Sequence, residues 1–131
     1  MIAMLIAVAA AMVVAHELAH VVTTLAFGGR FEGVVVKPVL AVGVKIRVDA
    51  LSARQVAWTL IAAPLAEVLV VAAAWAIQPS AWRLWLMLLG VQWAMNWTPW
   101  PWFSTDGRRL WTLLHGDPMT SDEECDGASA S

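Results

Sequence analysis

The chain predicts an all-α membrane protein: three transmembrane helices, a small β-hairpin between the first two, and a break in the third. Three observations carry that reading. Of its 131 residues 60% are hydrophobic and only 14% charged, too few polar side chains to cover an ordinary soluble domain. The apolar residues fall into long runs, two of which reach the ~20 residues that cross a bilayer. Between those two runs lies a stretch of strict apolar–polar alternation, the period of a β-strand.

The first span covers residues 2–27 and is stopped by Gly28-Gly29. It lacks the Lys/Arg head of a cleaved signal peptide and is too long for one. The second runs over residues 55–78 with Glu67 as its only charge, and Pro79 ends it. The third begins near Trp82, keeps a helical apolar pattern to Met95, and breaks into the proline- and tryptophan-rich residues 96–103. Non-helical backbone at membrane depth is tolerated only where protein or a water-filled cavity covers it, so the break marks a site. Trp58, Trp75, Trp82 and Trp85 fall near span ends, where interfacial anchors belong. A short interfacial helix is expected over residues 108–114.

In the loop of residues 28–54, Val42, Val44, Ile46 and Val48 alternate with Gly43, Lys45, Arg47 and Asp49. Residues 30–36 are the natural partner strand, with Lys37-Pro38 near the turn. Such a hairpin either packs on the span ends or offers an edge to which an extended peptide adds as another strand. Arg30, Lys37, Lys45, Arg47 and Arg54 lie in this loop, and Arg108 and Arg109 follow the third span. The positive-inside rule therefore puts the 28–54 loop and the carboxyl tail in the cytoplasm, with Met1 outside, in a multi-pass protein of the cell membrane. Residues 1–115 form the membrane domain; residues 116–131, acidic and rich in Ser and Gly, are expected to be disordered. Cys125 has no partner for an intrachain disulfide, and no basic patch with interleaved aromatics points to nucleic acid.

Within the first span only His16, Glu17 and His20 can carry charge. A charge at the bilayer centre costs at least ~2.5 kcal/mol, so three such groups together imply mutual partners or a metal ion. Positions i and i+4 share a helix face, which lets both imidazoles grip one ion. Glu17 is displaced by one residue, close enough to act as a base without being a ligand. A third ligand is needed, from Glu67, Asp106, His115 or the tail acids. Asp106 is best placed, because it follows the broken segment and precedes Gly107. The plainer alternative is a pair of helix-packing histidines with a glutamate partner.

His16-Glu17-x-x-His20 in a first core span, with Asn96-x-x-Pro99-x-Pro101 leading to Asp106-Gly107, resembles the site-2 protease family of intramembrane zinc metalloproteases. Ala62-Ala63-Pro64-Leu65-Ala66-Glu67 is similar to that family's Ala-Gly-Pro-x-x-Asn element, so the likeness covers all three spans in order. It implies one Zn2+ per chain held by His16, His20 and Asp106, with Glu17 as general base. Asn96, Pro99, Pro101 and Glu67 would shape the substrate cleft. The implied activity is hydrolysis of peptide bonds within transmembrane segments of single-span membrane proteins, in the bilayer. The chain departs from the pattern in three places. Residues 102–105 separate Pro101 from Asp106 where two residues are commoner, Ala63 stands for a glycine, and Glu67 stands for an asparagine. That carboxylate could bind metal, take a proton or pair with an arginine. The connection between spans two and three is too short for a PDZ-like module. Two rivals share the same features: an inactive pseudoprotease or segment-binding subunit with this fold, and a metal transport or storage protein. A homo-oligomer or an accessory membrane subunit is compatible with the main reading.

Overall fold

In the computed structural model, which describes residues 2–36, 42–98 and 105–115, the first apolar run forms α1 (Ile2–Ala26). Its end is closed by Phe27, Gly28 and Gly29, whose N–H groups donate to the carbonyls of Thr23, Leu25 and Thr24 at 3.1, 3.0 and 2.9 Å. Gly28 has φ 89°, the left-handed conformation that terminates helices and that a side chain would resist. The chain then pairs β1 (Arg30–Val36) with β2 (Val42–Arg47) as an antiparallel hairpin, as the alternation predicts. An irregularity between Phe31 and Gly33 leaves Glu32 as an extra residue, and its carboxylate meets Lys45 at 3.3 Å and Arg47 at 2.6 Å. The turn expected at Lys37-Pro38 lies outside the described residues.

Helix α2 (Ala53–Ile77) opens on a reciprocal cap. Gln55 N–H donates to the Ser52 hydroxyl at 3.4 Å, and Ser52 N–H donates to Gln55 Oε1 at 2.9 Å. A single 3-10 turn at Pro79–Ala81 leads into α3 (Trp82–Trp97), and α4 (Asp106–His115) follows. Among the described residues two helices, α1 and α2, are long and apolar enough to cross a membrane. At 16 residues α3 is roughly 24 Å long, short of the ~30 Å hydrocarbon core, so the structure does not show the third span expected here. Asn96 is still helical, and most of the expected break, including Pro99 and Pro101, lies outside the described residues.

The buried residues of α1, Met12, His16, His20 and Thr24, recur every fourth position and form one stripe. Thr59, Ala63, Glu67 and Val71 do the same on α2, and the two helices run antiparallel with these stripes face to face. Ala63 is fully buried, and its small side chain allows close helix approach. One end of the seam is apolar: Met12, Val71 and Ala74 join Ala81 and Trp85. Trp85 is therefore a core residue, with its indole N–H donating to the Gln78 carbonyl at 3.2 Å, and not the interfacial anchor expected from its place in the sequence. Trp58, Trp75 and Trp82 are exposed. The other end of the seam is polar, holding His16, His20, Thr24, Thr59 and Glu67. Outward, the same helices present Val14 at 65%, Leu69 at 71% and Ile77 at 76% exposure. Broad apolar outer faces of this kind accord with two helices long enough to cross a membrane.

Candidate metal centre

The four-residue spacing that makes the α1 stripe also brings the two imidazoles together, with ring centroids 4.8 Å apart. Their Nε2 atoms are separated by 3.2 Å, and each lies 3.0 Å from Asp106 Oδ2. On the far side of each ring a partner on α2 is already in place. His16 Nδ1 lies 2.7 Å from Glu67 Oε1, and His20 Nδ1 lies 3.0 Å from the Thr59 carbonyl oxygen.

Those outer contacts decide the protonation. A backbone carbonyl only accepts, so His20 carries its proton on Nδ1, and a carboxylate at Glu67 asks the same of His16. A neutral ring protonated on Nδ1 presents a bare lone pair at Nε2. Two such lone pairs and a carboxylate oxygen then converge on one point, an arrangement that repels itself unless a cation or extra protons fill it.

The spacing fits a metal. Tetrahedral zinc with ligands at 2.0–2.1 Å keeps its donor atoms about 3.3 Å apart, and the three donors here are 3.0, 3.0 and 3.2 Å apart. His16, His20 and Asp106 thus form a buried group that could hold a metal ion.

Asp106 comes from the opposite end of the chain and is placed by its neighbours. Thr105 precedes α4; its hydroxyl donates to the Thr98 carbonyl at 2.9 Å and accepts from Arg108 N–H at 3.3 Å, tying the start of α4 to the end of α3. Gly107 then passes directly against the Trp97 backbone, where a Cβ would collide with it. The Asp-Gly pair therefore has two separate jobs, a donor oxygen and the room to deliver it.

Glu17 is half-buried, one position round from the histidine stripe. Its Oε2 accepts the Val44 N–H at 2.9 Å, which fastens α1 to β2. The structure does not join it by a hydrogen bond to His16, His20 or Asp106 among the described residues. Of the other candidate ligands, Glu67 sits behind His16, and His115 is exposed at the end of α4, stacked on Trp111 at 3.9 Å. Asn96 is half-buried in the last turn of α3. A groove of about 310 Å³ between α2 and α3, lined by Ile61, Pro64, Leu65, Val68, Trp93 and Trp97, runs up to the segment that abuts Gly107.

No family model, curated protein or solved structure matches this chain. What the centre does is therefore read from its geometry. The Thr59 carbonyl is the contact that sequence reasoning missed.

Proposed function

We propose that the protein is an intramembrane zinc metalloprotease that cuts peptide bonds within transmembrane segments of single-span membrane proteins. The observation that carries this reading is the convergence of His16 Nε2, His20 Nε2 and Asp106 Oδ2 at zinc-ligand spacing inside a seam between two bilayer-long helices. A zinc ion held there would supply a Lewis acid for the scissile carbonyl and a water acidic enough to attack near neutral pH.

The chain's own groups divide the remaining work. Glu67 and the Thr59 carbonyl hold the two rings with Nε2 forward. The Glu17 carboxylate takes the proton of the attacking water and returns it to the leaving amine nitrogen. To do so it exchanges its bond to Val44 N–H, or shares it, since one oxygen is held there. In this reading α3 belongs to a third span, and Asn96, Pro99 and Pro101 shape the cleft. The basic residues place the hairpin and the carboxyl tail in the cytoplasm.

The substrate class follows from depth. His16 lies roughly 15 Å inside the cytoplasmic end of its helix at 1.5 Å per residue, beyond reach of a folded soluble protein. An apolar segment entering from lipid has the groove beside Pro64 and Trp97 to lie against. Its helix must open at the cut, so Gly, Asn or Pro near the scissile bond should speed cleavage. Segments already shortened outside the membrane enter most readily.

One observation favours a second reading, an inactive subunit that holds membrane segments: Glu17 is bonded to the hairpin and not to the metal-ligand group. The test is cleavage itself. Reconstituted protein is offered a panel of single-span segments, and products are mapped by mass spectrometry. Wild type should cut at least one inside its membrane portion, and Glu17→Gln or zinc chelation should stop it. Zinc-loaded protein that binds the segments and cuts none would establish the second reading.

A further inference from the structure

We infer that Glu67 is a positioning residue of the metal centre: from behind His16 it fixes the ring that presents Nε2 and balances the charge of the ion. The inference rests on the metal-site reading above and does not depend on protease activity. The role differs from the one that the family likeness implies at this position, where contact with substrate is expected.

Four features of the structure support it. Glu67 is fully buried, so no substrate can reach its side chain. Its Oε1 is 2.7 Å from His16 Nδ1, the distance of a charge-assisted hydrogen bond. That contact is on the opposite side of the imidazole from the nitrogen that faces Asp106, so Glu67 cannot also coordinate an ion held by Nε2. Finally, Oε2 is buried with no hydrogen-bond partner among the described residues. A carboxylate kept for packing alone would be poorly served in this position, with half of its acceptors bare.

The two histidines are supported unequally. His20 leans on a neutral carbonyl, whereas His16 leans on a carboxylate. An anionic partner raises the basicity of the ligand nitrogen more than a neutral one. His16 should then be the stronger donor of the pair. Charge argues in the same direction. As carboxylates, Asp106 and Glu67 would together offset the charge of a divalent cation in surroundings that offer little water. With a neutral residue at position 67 the buried centre would keep an uncompensated positive charge, which an apolar environment penalises.

The two contributions separate in two substitutions. In Glu67→Gln the amide oxygen still accepts from His16 Nδ1–H, so the ring stays oriented and only the charge is lost. In Glu67→Leu both are lost. Purified full-length protein in detergent is titrated with zinc against a competing chelator. The coordinating atoms are counted by X-ray absorption, and the histidine ring nitrogens are followed by 15N NMR. Removing an outer hydrogen-bond partner typically weakens metal binding about 10- to 100-fold. We expect Glu67→Gln near the lower figure with an unchanged His16 ring-nitrogen signature, and Glu67→Leu near the upper one with that signature shifted. The number of coordinating nitrogen and oxygen atoms stays that of wild type in both. Should Glu67→Leu fail to fold, the isosteric Glu67→Gln decides alone. Zinc bound as tightly by Glu67→Gln as by wild type would overturn the role. So would loss of a coordinating oxygen in either variant, because Glu67 would then be a ligand. Neither result bears on cleavage. Wild type that binds no zinc at all would remove the metal-site reading and this inference together.

Discussion

Replacing Gly107 with alanine should dismantle the metal centre without touching a ligand. A Cβ built there falls 2.5 Å from the Trp97 carbonyl carbon and 2.8 Å from its Cα. Non-bonded carbons approach to ~3.5 Å, and the Trp97 carbonyl oxygen lies nearer still, so α3 and the start of α4 would have to part by at least ~1 Å. The obstacle is backbone, which cannot rotate aside as the tip of a flexible side chain can. Asp106 precedes Gly107 directly and moves with it, whereas zinc–ligand distances tolerate only about 0.2 Å. The carboxylate is thereby lost from the coordination sphere. Zinc affinity should fall by at least ~100-fold, the upper end of what losing an outer hydrogen-bond partner costs. Overpacking at the helix contact should also lower stability by ~1–3 kcal/mol. Chelator competition on folded, detergent-purified protein reads the first effect and thermal melting the second. Gly90→Ala is the control, since a Cβ there meets nothing within 4 Å. If Gly107→Ala folds and binds zinc as tightly as Gly90→Ala, the delivery of Asp106 by a close glycine contact is refuted.

Ser52→Ala removes the hydroxyl that caps α2 and should cost ~1 kcal/mol of stability with zinc affinity unchanged, because the cap lies in the opening turn, ahead of the Thr59 carbonyl. Hydrogen exchange at the start of α2 and zinc titration check the two halves of that statement. With Cys125 replaced, a cysteine introduced in the 28–54 loop should be protected from impermeant thiol reagents applied outside the cell, and one at Ser80 should be labelled. The reverse pattern would invert the topology.

Much of the centre could be read from residue spacing. The i, i+4 histidines predicted a shared face, and α1 buries both on one stripe. The place of Asp106 after the proline-rich segment and before a glycine marks it as a ligand, and the structure shows the physical reason for that glycine. The second hairpin strand is legible from alternation, because a two-residue period has few other interpretations. Contacts across helices were less legible. Sequence marks Glu67 as a charge in an apolar span but leaves it three roles, and only the antiparallel register of α1 and α2 sets it behind His16. The spacing 59, 63, 67 on α2 matches the four-residue stripe of α1, which was the available clue. The Thr59 carbonyl and the Val44 N–H belong to the backbone and leave no side-chain signature. Trp85 was misplaced because position along a span does not tell which side of a helix faces the neighbour, and this tryptophan turns inward onto Met12 and Val71.

The central claim is a metal held by His16, His20 and Asp106, and elemental analysis of purified full-length protein tests it most directly. Wild type and Glu17→Gln should each carry about one zinc per chain, the number a single centre with three protein ligands holds. Asp106→Ala, which takes one donor from the triangle of 3.0, 3.0 and 3.2 Å contacts, should lose most of it. Wild type without zinc, or Asp106→Ala that keeps its full complement while Glu67→Gln loses it, would contradict the assignment.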